Sequence, residues 1–216
     1  MRVLVLDTAT AAVTAALVDV DGTAPPVVLA ERVVVDGRRH GELLAVGVRE
    51  VLDGPVEAVV VGLGPGPFTG LRVGIMTAAA FADAWGLPVL GVCSLDGLSA
   101  PSTGVVTDAR RREVYWARYD QAGDRVDGPH VDAPGVAAQG LLAATAVVGD
   151  GAHLHAEAFA GRPVAAQPRY PQPGRLAEVA VRRHLAGLPP LPLTPLYLRR
   201  PDAQEPGAPK RVTVPT

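Results

Sequence analysis

Val56-Glu57-Ala58-Val59-Val60-Val61-Gly62-Leu63-Gly64-Pro65-Gly66-Pro67-Phe68-Thr69-Gly70-Leu71-Arg72-Val73-Gly74 is the stretch on which the fold turns. Val56 to Leu63 is a short apolar run rich in β-branched residues, the pattern of a buried strand. The Gly/Pro punctuation after it continues neither strand nor helix. From Leu71 to Trp85 the sequence supports a helix, stopped by Gly86-Leu87-Pro88. Strand, tight turn and helix in that order are a building unit of α/β proteins. The helix is apolar almost all round, and its alanines Ala78, Ala79, Ala80 and Ala82 allow close approach of a neighbour. Such a helix has to be buried or docked on something.

Working outward, Val3 to Leu6, Val13 to Val18 and Val27 to Val35 read as successive antiparallel strands, separated by Asp21-Gly22 and Pro25-Pro26. Leu44, Val48, Val51 and Leu52 recur at helical spacing and predict a helix from His40 to Leu52. Val89 to Val92 returns as a strand. Around Ala100 to Gly104 the composition turns to loop, and a second unit follows. It holds predicted strands at Val105 to Thr107, Glu113 to Tyr119 and about Val147, then helices at Ala152 to Phe159 and Leu176 to Leu185. The expected organisation is two lobes, 1–101 and 102–216, with a proline-rich extended segment at about 189–200 returning to the first lobe. Lys210 to Thr216 is expected to fray.

The chain carries a formal net charge of -2, so it has no overall basic field for nucleic acid or anionic membrane, and any RNA contact has to be local. Cys93 is the only cysteine, which rules out an internal disulfide and a thiolate metal cluster. The first residues meet Asp7 too soon for a signal sequence, and no apolar run reaches membrane-spanning length. A cytoplasmic location without membrane contact is expected.

The glycine loop offers backbone N–H groups at a helix start, the elements of an anion site. Its spacing fits neither the P-loop, which needs a lysine after the last glycine, nor the dinucleotide fingerprint. Pro65 and Pro67 also remove two donors. Asp7-Thr8, after the first strand, resembles the first phosphate segment of the actin, sugar-kinase and Hsp70 superfamily. The second such segment would need glycines, whereas this chain has Asp108-Ala109-Arg110-Arg111-Arg112. Asp7, Thr8, Gly64, Gly66, Thr69, Gly70 and Asp108 are therefore the nucleotide-proximal candidates, without a full set for autonomous phosphoryl transfer. The five histidines are scattered and no serine sits in a nucleophile elbow, so no metal site and no catalytic residue is expected. Arg110-Arg111-Arg112 is a group of cations that could steer a polyanion, or simply a solvated turn.

The motifs Leu4-Val5-Leu6-Asp7-Thr8, Arg39-His40-Gly41-Glu42-Leu43-Leu44, Gly64-Pro65-Gly66-Pro67-Phe68-Thr69-Gly70-Leu71-Arg72, Asp108-Ala109-Arg110 with Glu113-Val114-Tyr115-Trp116, and Pro195-Leu196-Tyr197-Leu198-Arg199 occur in that order over nearly the whole chain. In this the chain resembles the bacterial TsaB (YeaZ) family of tRNA threonylcarbamoyladenosine biosynthesis proteins. The resemblance implies an actin-like/Hsp70-like (ASKHA, ribonuclease H-like) two-lobe α/β fold with mixed sheets flanked by helices. It implies a non-catalytic scaffold that pairs with the catalytic TsaD and the ATPase TsaE, touches tRNA through the complex, and homodimerises when alone. No intrinsic cofactor is implied, but ATP or ADP could sit at the partner interface. The docking surface would be built by the helices after His40 and after the glycine loop, through His40, Leu43, Leu44, Leu71, Arg72, Ile75, Met76 and Ala79. Ala9, Ala11, Gly41 and Pro67 depart from the family pattern, and the first two weaken a ligand role for the Asp7 segment. The competing readings are an autonomous actin-like ATP-dependent phosphotransferase and a metal-dependent glycoprotease.

Overall fold

The computed structural model describes residues 1–199, so the expected fraying of Lys210 to Thr216 lies outside the described residues. The first sheet is formed by β1 (Arg2–Asp7), β2 (Ala12–Asp19), β3 (Val27–Val35), β4 (Ala58–Gly62) and β5 (Val89–Val92), in the spatial order β3-β2-β1-β4-β5. β1 pairs antiparallel with β2 and parallel with β4, which in turn runs parallel to β5. The tight turn after Asp7 makes the antiparallel step. The parallel step needs a crossover, which α1 (His40–Val51) provides, and α2 (Phe68–Trp85) links β4 to β5.

The second sheet repeats this wiring with one strand fewer. β6 (Thr103–Asp108), β7 (Val114–Tyr119), β8 (Arg125–Asp132) and β9 (Ala146–Val148) lie in the order β8-β7-β6-β9. Again the opening strand sits between an antiparallel and a parallel neighbour. Two copies of one mixed-sheet pattern in tandem are the actin-like, ribonuclease H-like two-lobe arrangement. β8 was not foreseen, because Gly128-Pro129 interrupts it. An edge strand tolerates a proline that a central one would not, and β8 is the edge. α3 (Pro134–Gly140), also unforeseen, packs beneath Trp116, whose ring a Cβ on Gly140 would strike.

Both faces of the first sheet are covered. Leu4, Leu6, Val59 and Val61 point to α1 and α2, meeting Leu44, Val48, Leu71, Ile75 and Ala78. Val3, Val5, Val60 and Leu90 point the other way, against Leu176, Ala177, Ala180 and Val181 of α5 (Pro173–Leu185). The sequence grouped α5 with the second lobe, yet its apolar face completes the core of the first. After α5, Leu188, Pro189, Pro190 and Leu191 pass beside β5, lining a cavity with Pro88 to Gly91, and Leu191, Leu193 and Leu196 then pack on the α1/α2 side. There the Leu196 N–H bonds to Leu63 O at 2.8 Å. The helix predicted over 152–159 is split in two, α4 (Asp150–Leu154) and a 3₁₀ turn Ala156–Phe159, with His155 between them.

The lobes meet at a 3₁₀ segment, Ser94–Leu98, which packs with Val105, Tyr115 and Tyr119 of the second sheet. Asp96 in that segment accepts from the Tyr119 hydroxyl at 2.8 Å and from Arg125 Nε at 3.0 Å. Among the described residues no helix is long and apolar enough to cross a membrane.

Candidate functional site

The ends of β1 and β4 bring the Asp7 turn and the glycine loop face to face. Asp7 is 1% exposed. One carboxylate oxygen accepts from the Ser94 hydroxyl at 2.5 Å, and the other from the Ala9 N–H at 3.0 Å. Ser94 Oγ in turn accepts from the Gly64 N–H at 3.1 Å, and Ser94 N donates to Gly64 O at 2.7 Å. Ser94 therefore staples the loop to the first strand. Nothing in its local sequence marked it, since the link spans 87 residues.

The glycines serve this closure. A Cβ on Gly62 would overlap the Asp7 carboxylate, one on Gly66 would overlap the Ala9 carbonyl, and one on Gly70 would stand 2.6 Å from Thr8 O. The Thr8 hydroxyl donates to Gly70 O at 2.7 Å, and His40 Nε2 lies 3.0 Å from Thr10 O. Backbone of the Asp7 turn thus lies directly against the loop at Gly66 and Gly70. Of the nucleotide-proximal candidates, Asp7, Thr8, Gly64, Gly66 and Gly70 are brought together and buried, while Thr69 is exposed. Asp108 belongs to the second lobe, where its carboxylate accepts from Arg110 N at 2.8 Å.

Burial sets the electrostatics here. Desolvation raises the Asp7 carboxyl from 3.8 to about 6 against the opposing hydrogen bonds from Ser94 and Ala9. Asp150, capping Asp108 N at 3.2 Å, is raised to about 6 for the same reason. Burial pushes the Cys93 thiol up to about 12, so it stays protonated and unreactive near neutral pH.

The expected docking surface divides in two. Leu44, Leu71 and Ile75, expected to face a partner, belong instead to the core of their own lobe, and His40 is buried against the Asp7 turn. An all-apolar helix shows no phase in its sequence, so which residues turn inward was not legible. The outward face carries Arg72 and Met76, with Leu43 and Ala79 half-buried beside them. Met76 is 66% exposed. At the start of α2 the exposed Phe68 ring stacks on Tyr197 at 5.1 Å, with the Arg72 guanidinium 4.2 Å from the Phe68 centroid. Phe68 and Tyr197 stand inside recognised motifs but were not singled out, since only the fold brings them together.

Comparison with known proteins agrees with this architecture. Residues 35–150 match the family described as TsaD: tRNA N6-adenosine threonylcarbamoyltransferase. An uncharacterised protein of Mycobacterium leprae is 49% identical over 94% of this chain, which spans 56% of that relative's length. The tRNA threonylcarbamoyladenosine biosynthesis protein TsaB of Escherichia coli is 33% identical over 135 residues, 56% of each chain. The solved structure of YeaZ from Pseudomonas aeruginosa is similar with a TM-score of 0.70 at 26% identity, over 91% of this chain and 100% of that one. With the TsaD family model matching more than half its length, relatives named TsaB and the YeaZ fold shared over nearly all of it, the chain belongs to the TsaB/YeaZ family.

Proposed function

We propose that this protein is a non-catalytic scaffold subunit in tRNA threonylcarbamoyladenosine biosynthesis, pairing with TsaD through the outward face of α1 and α2. The observation that carries the reading is the closed loop: Asp7 is spent on Ser94 and Ala9, and backbone occupies the space beside the glycines. An actin-like enzyme needs that carboxylate and that space for its metal and phosphates. The names of the matching relatives supply the pathway. A cytoplasmic location, a homodimer in isolation, association with TsaE, and a nucleotide held at the partner interface rather than within this chain belong to the same proposal.

Threonylcarbamoylation of tRNA, reconstituted from cognate TsaD, TsaE and the adenylate-forming enzyme, should collapse when this chain is omitted. Full modification without it would overturn the proposal. Met76→Asp places a charge on the exposed face without entering the core, so it should weaken pairing with TsaD about tenfold while leaving the melting temperature unchanged. Ile75→Asp is the wrong probe, because it would put the charge inside the lobe. Titration of the isolated chain with Mg-ATP should give no binding heat.

A further inference from the structure

Two cavities lie end to end beside β5 and α5. The first, of 330 Å³, is walled by Leu90 of β5 and by Leu188, Pro189, Pro190 and Leu191 of the segment after α5. Leu188 is 48% exposed there, an apolar surface that no other part of the described chain covers. The second, of 280 Å³, is polar, with Asp96, Tyr119, Asp124, Arg125 and Arg182 in its walls. Arg183 and Leu191 line both, so the two form one groove with an apolar end and a polar end. The first cavity alone reaches the size of a small-ligand pocket.

Arg183, at the junction, is half-buried, and its guanidinium has no hydrogen-bond or ion-pair partner among the described residues. The carboxylates near it are taken. Asp96 accepts from the Tyr119 hydroxyl and Arg125, and Asp124 is held by Arg182 at 2.5 Å. Nor does the side chain cap its own helix, because the carbonyls of Arg182, Arg183 and His184 accept from the N–H groups of Ala186, Leu188 and Gly187. Three arginines (Arg125, Arg182, Arg183) against two aspartates (Asp96, Asp124) leave the second cavity one positive charge, and it is that of Arg183. A cation held half out of water without a counter-ion, beside uncovered apolar surface, is an arrangement that a ligand would complete.

We propose that this groove binds an amphipathic carboxylate, with its head on Arg183 and its apolar body along Leu90, Leu188 and the two prolines. The guanidinium fork matches a carboxylate bidentately. One residual charge suits a monoanion, whereas a phosphate dianion would face Asp96 and Asp124 with a single unpaired cation to hold it. The groove lies on the α5 side of the first sheet, apart from the outward face of α1 and α2, so it stands independently of the scaffold role.

The test is calorimetric titration of the full-length chain with decanoate, and with decanol as its uncharged counterpart. The wild-type chain should bind one decanoate, about tenfold more tightly than decanol. Arg183→Ala should weaken decanoate about tenfold, to the level of the alcohol, and leave decanol unchanged. Its melting temperature should hold, since the guanidinium has no partner to lose, and Arg183→Gln, which keeps the stem on the helix, should bind in the same way. Leu188→Ser, at an exposed position, should weaken acid and alcohol alike. No decanoate binding by the wild-type chain, several molecules bound per chain, or equal affinity for acid and alcohol would overturn the proposal. So would an undiminished affinity in either Arg183 variant or in Leu188→Ser.

Discussion

Gly66→Ala is expected to lower the stability of the isolated chain by about 3 kcal/mol, the upper part of the usual range for overpacked interiors. For a chain of this size that is a fall of roughly 6–12 °C in melting temperature. The added methyl would overlap the Ala9 carbonyl, and a backbone on one side meeting a backbone on the other has no flexible side chain to give way. Gly41→Ala is the control: a Cβ there meets nothing within 4 Å, in the first turn of α1. It should be neutral or stabilising by up to about 1 kcal/mol, since alanine is the better helix former. Thermal unfolding followed by circular dichroism reads both. Equal melting of Gly66→Ala and wild type would mean that the loop is not packed for closure.

Asp7→Asn should change how stability depends on pH. The folded carboxyl titrates at about 6 and an unfolded one near 3.8. The folded state thus holds its proton more tightly than the unfolded chain does. The resulting stabilisation is fully present below pH 3.8 and is lost as pH rises through 6. A shift of this size corresponds to about 3 kcal/mol. Asparagine keeps an oxygen for the Ala9 N–H and does not ionise. The variant should therefore gain on wild type between pH 4 and 7.5, and comparing the two cancels the similar contribution from Asp150. A pH-independent difference would show that Asp7 is solvated in the folded protein. In an autonomous phosphotransferase the same substitution would instead abolish ATP binding.

The strand, loop and helix from Ala58 to Trp85 were legible because their signals are local: β-branched residues, glycines and prolines, then an uninterrupted helical run. α2 starts at Phe68 rather than Leu71, directly after Pro67, whose backbone is extended. The unread features depend on distant pairing. Ser94 finds Asp7 only after β1 and β5 share a sheet, and α5 looks like any amphipathic helix until the uncovered face of the first sheet claims it. Proximity in sequence assigned α5 to the second lobe, whereas apolar area assigned it to the first. The inward turn of Leu71 and Ile75 belongs with these, since a helix rich in apolar residues on every side takes its orientation from its neighbours.

The segment that runs from α5 past β5 is built from Leu188-Pro189-Pro190-Leu191-Pro192-Leu193, half of it proline. β5 is an outer strand, and such a strand offers unpaired N–H and C=O groups to any passing chain. A covering segment that could itself hydrogen-bond would become a sixth strand and move the same problem one position outward. Prolines placed beside the outer strand lack the donors to extend it. The sheet therefore ends at β5, and the neighbouring segment closes off strand addition from within the chain without becoming a strand itself.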